Sequence, residues 1–180
     1  MSSAPRNEKK PMGVAHQGPI ESKITIKQHP VHPMLVSFPI AFLSSTILSD
    51  AAFWWLGDPF WAAVSFWLYA AGFAIGVLAA VAGLADFVQI EEARRHVTGW
   101  SHLIVAIAAL ALAAANLRLR LGNPASAVIP WGMVLSAALA LLVAVTGWLG
   151  GSLTFRHGIG TYWHELDRDR EDEADEPLQQ

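Results

Sequence analysis

Four long apolar runs decide what this chain can become. They extend over Pro33–Leu56, Trp61–Asp86, Trp100–Leu119 and Ser126–Leu153. Each holds about 20 residues or more, the length at which an α-helix crosses a hydrocarbon core ~30 Å thick. Helices buried in a soluble protein are usually shorter and keep a polar face. These runs have almost none, and Leu103–Ala115 contains no polar residue at all. Strands of a transmembrane barrel would be about half as long and would alternate. The fold expected is all-α: a transmembrane four-helix bundle with helices at about 33–56, 61–86, 100–119 and 126–153.

Composition agrees. Charged residues make up 15% and hydrophobic residues 53%, whereas ordinary soluble domains carry about 25% charge. So little polar surface cannot cover a soluble globule of this size, and the apolar excess must face lipid. The net charge of −3 hides a basic N-terminal segment and an acidic tail. Neither resembles a nucleic-acid footprint, so nucleic acid is excluded as a partner. The chain has no cysteine. Disulfides, thiolate metal ligands, cysteine-held iron–sulfur clusters and covalently attached haem are therefore excluded.

The runs divide the chain into a flexible polar N-terminal segment (1–28), a transmembrane domain (29–160) and an acidic, disordered tail (161–180). The N-terminal segment lacks an apolar core of signal-peptide type, so no cleaved signal is expected. Gly57-Asp58-Pro59 is a tight turn, Gln89–Gly99 a polar loop, and Arg118–Pro124 the third connection. Connections this short make neighbours antiparallel, giving an up-down-up-down bundle. Pro33 suits a first helical turn, and Pro39 and Pro130 should kink their helices. Glu165–Glu176 holds eight acidic residues, a solvated stretch on which a membrane or cytoplasmic protein partner would dock.

Ten of the twelve Lys and Arg residues lie in the N-terminal segment, the second connection and the tail. The other side has only Arg118 and Arg120. By the positive-inside rule both termini are cytoplasmic, in a bacterial inner membrane. Trp54, Trp55, Trp61 and Trp131 then mark the outer interface, with Trp100 and Trp163 at the inner one. Asp50 reaches only ~26 Å along its helix. It is expected at the outer boundary, capping or pairing, and not as a buried carboxylate.

Inside lipid, helices associate by close contact of small residues. Gly72 and Gly76 stand at GxxxG spacing with Ala79, Ala80 and Gly83 beyond them, and Gly147 and Gly151 repeat the spacing. These stripes serve packing within the chain, with homo-oligomerisation as the alternative. Ser45 and Ser49 offer hydroxyls one turn apart on the first helix.

The topology gathers histidines at one end. His29, His32, His96, His102, His157 and His164 all fall on the side of the termini, and the outer side has none. Asp86 ends the second run and Arg156 follows the fourth. Imidazole is the commonest metal ligand and an axial ligand of haem, and a carboxylate can complete or orient such a set. One reading is a cluster of interfacial polar residues. The other is a bound divalent metal on His29, His32, Asp86, His102 and His157, or one haem b with His32 and His102 as axial pair and Arg94 near the propionates. Proton handling is a third.

The segment His29-Pro30-Val31-His32-Pro33-Met34-Leu35-Val36, with Phe38-Pro39-Ile40 after it, resembles the opening of the bacterial membrane family termed domain of unknown function 2231. Gly83-Leu84-Ala85-Asp86-Phe87, then Ala93-Arg94, Gly99-Trp100 and His102, resembles its second motif. Gly147–Leu153 followed by Arg156-His157-Gly158-Ile159-Gly160 resembles its third. Ser37 departs from the pattern, where many members carry histidine or proline. The resemblance covers about residues 28–162 and implies a small four-helix integral membrane protein. It implies no substrate. Its polar motif residues are His29, His32, Asp86, Arg94, His102, Arg156 and His157.

Two functions follow: a redox-associated subunit binding one haem or metal, and a non-enzymatic scaffold docking a partner. A transporter fits less well, because the runs lack mid-membrane ionisable residues and paired broken helices. No nucleophile–base set, phosphate loop or zinc-protease motif gives enzymatic activity positive support.

Overall fold

The computed structural model describes residues 20–27 and 29–160. The histidine at 16, the histidine at 164, Trp163 and the acidic tail lie outside them. A two-residue antiparallel ladder opens the described chain, β1 (Thr25–Ile26) with β2 (His29–Pro30). Then come α1 (Val31–Leu56), α2 (Pro59–Gln89), a short α3 (Glu91–Arg95), α4 (Val97–Arg120), α5 (Pro124–Ala127) and α6 (Met133–His157). Four spans are long and apolar enough to cross a membrane: α1, α2, α4 and Pro124–His157.

Local sequence sets the helix ends. α1 stops at Gly57, whose left-handed φ of 69° lets its N–H return to the Phe53 carbonyl at 2.8 Å. Asp58 then caps α2 by accepting from the Phe60 N–H at 2.9 Å, with Pro59 at the first helical position. Asn123 and Pro124 repeat that device at α5. α1 runs through Pro39 as continuous helix. The fourth span does not run through Pro130. Ile129 before it is extended (φ −110°, ψ 132°), as a residue preceding proline favours, and regular helix resumes at Met133.

α1 packs between α2 and α6, and α4 packs between the same two helices, so α1 faces α4 across the diagonal. The bundle is inside-out relative to a soluble protein. Its surface carries Leu48, Trp67, Val81, Leu141 and Trp148, the last 72% exposed. Its interior holds Asp50, Arg120, Asn116, Thr46, Ser65 and Ser136, all 0% exposed. An apolar layer of Leu43, Tyr69, Ala109, Ala113, Leu139 and Val143 fills the middle.

Gly72 and Gly76 are buried where helices approach closely. A Cβ on Gly72 would lie 2.8 Å from Leu43, and one on Gly76 2.9 Å from Leu110. Gly147 has no side chain to meet within 4 Å, so its stripe does no packing inside the molecule. Ser49 does cross to α2, donating to the Trp61 carbonyl at 2.8 Å, whereas Ser45 bonds back to Ala41 on its own helix. Gly76→Leu should therefore lower stability in detergent by ~1–3 kcal/mol through overpacking. Gly147→Leu should leave it nearly unchanged. Thermal unfolding of the two variants side by side checks this, and equal losses would remove the packing role of Gly76.

Candidate functional site

His32 on α1 and His102 on α4 meet across the diagonal, their ring centres 6.2 Å apart and their planes at 87°. His32 Nδ1 lies 2.7 Å from the Ala79 carbonyl, and His102 Nδ1 lies 3.1 Å from the Thr146 carbonyl. A carbonyl only accepts, so each Nδ1 carries the proton and donates. In each neutral ring Nε2 is then the unprotonated nitrogen, the one free to ligate. Glycine makes room for both rings. A Cβ on Gly83 would lie 2.6 Å from His32 Nδ1, and one on Gly150 3.1 Å from His102 Cε1.

The other residues of the motif set have separate tasks. Asp86 receives the N-terminal strap: Ser22 Oγ donates at 2.6 Å, the Lys23 N–H at 2.8 Å and the Ile24 N–H at 3.0 Å. The strap is also pinned by the Ile20 N–H to the Gly158 carbonyl and the Gly160 N–H to the Ile20 carbonyl. Arg94 closes the end of α2 by donating to the Phe87 and Val88 carbonyls. His29 Nδ1 bonds to the Lys27 carbonyl at 2.9 Å. His157 stacks on His96 at 4.2 Å, and His96 Nε2 lies 3.1 Å from Glu92. Among the described residues no three His, Asp or Glu side chains gather as a metal shell. The structure thus brings together His32 and His102 and keeps His29, Asp86 and His157 apart from them in separate contacts.

The opposite end corrects the expectation for Asp50 and for Arg120. Asp50 is a buried carboxylate, and Arg120 is no loop residue but the last residue of α4, turned into the bundle. The guanidinium grips Asp50 with both arms, Nη1 to Oδ1 at 2.8 Å and Nη2 to Oδ2 at 2.7 Å. Its remaining donors go to Ser65 Oγ (2.9 Å), Ser136 Oγ (3.2 Å) and Asn116 Oδ1 (3.2 Å). All five guanidinium N–H groups are thereby used. Asn116 Nδ2 donates to Tyr69 Oη at 2.7 Å and to the Gly132 carbonyl at 3.0 Å, and the Tyr69 and Ser136 hydroxyls pair at 2.8 Å. Among the described residues no buried side-chain nitrogen or oxygen lacks a partner.

The signal for this centre lay in spacing. Asp50 follows His32 by eighteen positions, and Arg120 follows His102 by eighteen. Hydropathy reads each residue alone and assigns a charge near a helix end to the interface. It cannot register that two ends point opposite charges at each other.

The strap gives a direct test. Asp86→Ala removes the acceptor for two backbone N–H groups, a loss comparable to that of a helix cap, ~1–2 kcal/mol. Amide exchange at Lys23 and Ile24 should accelerate about 10-fold, with exchange in α4 unchanged. Unaltered exchange at both amides would mean that the Ile20 contacts alone hold the strap.

Searches among curated proteins and among solved structures found no match. A family model described as predicted membrane protein (DUF2231) matches residues 28–162, most of the chain and all four spans. The chain belongs to that family of predicted membrane proteins.

Proposed function

We propose that this protein is a redox-associated membrane subunit that holds one haem between His32 and His102. The observation that carries the reading is the facing pair itself. Two imidazoles from different helices have their Nδ1 atoms fixed on carbonyls and both Nε2 atoms unprotonated. His32 and His102 would hold the iron from two sides through those nitrogens, and the group would supply one-electron redox chemistry. The donor count favours haem over a bare divalent ion. A divalent ion asks for three or four protein ligands, and this site gathers two. Iron porphyrin brings four nitrogens of its own and needs only an axial pair. With both axial positions filled, such a centre suits electron transfer and leaves no place for a substrate. Arg94 is committed to α2 carbonyls, so it is a weaker candidate for a propionate than the sequence suggests. The Lys and Arg distribution supports placing the site on the cytoplasmic side of an inner membrane, with both termini inside.

The test is the visible spectrum of protein purified from native membranes, and of purified protein titrated with haem. A Soret band is expected, and His32→Ala and His102→Ala should each abolish it. His29→Ala and His157→Ala should leave it in place. Binding should fail on acidification, because a protonated Nε2 cannot ligate. Protein that carries no haem and takes none up would favour the scaffold reading, with the histidines packing helix against helix. Bound divalent metal without a Soret band would replace haem by a metal site.

Orientation has its own check. Reporter fusions after Lys27, Asp58, Arg95, Asn123 and Glu165 should read in, out, in, out, in. An external signal at Glu165 would contradict the four-span count.

A further inference from the structure

The two halves of the bundle repeat each other at most of their buried positions, though buried Ser49 and Ala62 fall on the exposed Leu119 and Ile129. A shift of seventy residues carries α1 onto α4. The buried residues Pro39, Leu43, Thr46 and Asp50 then coincide with Ala109, Ala113, Asn116 and Arg120, which are also buried. A shift of sixty-seven carries α2 onto the fourth span. There Ser65, Tyr69, Gly72 and Gly76 coincide with Gly132, Ser136, Leu139 and Val143, again all buried. The histidine contacts obey the same shifts. His32 donates to Ala79 above Gly83, and His102 donates to Thr146 above Gly150. They are one contact made twice. Helix order agrees, since α1 and α4 each lie between α2 and α6.

Positions related by a two-fold axis touch one another only close to that axis. His32 touches His102, Tyr69 touches Ser136, and Asp50 touches Arg120. These contacts run from one end of the bundle to the other and so mark an axis along it. Residue sizes change while the layer stays filled. Leu43 sits over Gly72 in one half, and the equivalent positions in the other are Ala113 and Leu139, small and large exchanged.

We infer that the transmembrane domain is one helical hairpin used twice about a pseudo-two-fold axis along the membrane normal, with Asp50 and Arg120 as the residues that make each hairpin select the other. Identical residues at that position would put two aspartates or two arginines together away from water. Opposite charges remove that conflict only when the unlike halves pair, so a hairpin is directed to its complement and away from a copy of itself in another molecule. The inference does not rest on haem or metal binding.

The full chain provides the test. Asp50→Arg alone should abolish cooperative unfolding in detergent. Exchanging the pair, Asp50→Arg with Arg120→Asp, should restore part of it. Adding Thr46→Asn, Asn116→Thr, Tyr69→Ser and Ser136→Tyr turns the network half a revolution about the axis, apart from the Ser65 contact, whose equivalent position is Gly132. That six-residue exchange should bring the unfolding midpoint closer to wild type than the two-residue exchange does. A six-residue variant no better than the two-residue one would overturn the equivalence. A second measurement needs no exchange within the core. The chain has no cysteine, so spin labels can be placed on the exposed residues Met34, Leu78, Ile104 and Val145. The pairs Met34–Val145 and Ile104–Leu78 are equivalent under the axis and should give the same mean distance. Means that differ by more than one helical turn, ~5.4 Å, would overturn the proposal whatever the exchange variants do.

Discussion

An arginine cannot remain in the interior of a membrane bundle unless its donors are satisfied there, and the end of this bundle opposite the histidines is arranged around that requirement. Arg120 supplies five N–H groups, and α1, α2, α4 and α6 each supply at least one acceptor for them. Desolvating two charges costs several kcal/mol per ion. The bidentate geometry and the hydroxyl and amide partners offset that cost. Because the acceptors come from all four long helices, the network fixes their relative depth and rotation more sharply than apolar contact would, since lipid competes with apolar contact on nearly equal terms. The irregular segment at Val128–Gly132 belongs to the same arrangement. Its Gly132 carbonyl accepts from Asn116, and a Cβ on Gly132 would crowd Arg120.

The other end is held differently. Here the helices are tied by imidazole-to-carbonyl bonds across glycines and by a strap that delivers its backbone donors to Asp86. These bonds leave one nitrogen of each central histidine uncommitted, whereas the Asp50–Arg120 centre leaves no donor of its guanidinium spare. That contrast separates a layer built to hold the bundle together from a layer able to hold something else. It is the reason the proposed site is placed at the histidines and not at the charged pair.

Span number and helix type could be read from the sequence because both follow from properties that add along the chain. Four apolar runs with turn residues between them allow little else in lipid. The Gly57-Asp58-Pro59 turn was legible too, since its residues act on their own next turn. Pairings across the bundle were readable only in part. His32 and His102 were matched because topology places both near one face. Asp50 was assigned to the boundary from its depth alone, as its partner lies on the diagonal helix and only the fold brings them together. Gly147 and Gly151 carried the same spacing as Gly72 and Gly76 yet pack against nothing tightly, while Gly150 beside them clears His102. A spacing motif identifies a face of a helix, and it does not say which face meets a neighbour.

The claim that the charged pair organises the bundle is tested most directly by a double-mutant cycle on Asp50→Asn and Arg120→Gln, read as unfolding free energy in detergent. Polar pairs in membrane bundles average ~0.6 kcal/mol of coupling. A fully buried, bidentate and otherwise satisfied pair should couple by ~2 kcal/mol or more, with each single variant costing ~3–5 kcal/mol. Coupling at or below the average, with additive single losses, would contradict the account and leave the apolar layer as what holds the helices in place.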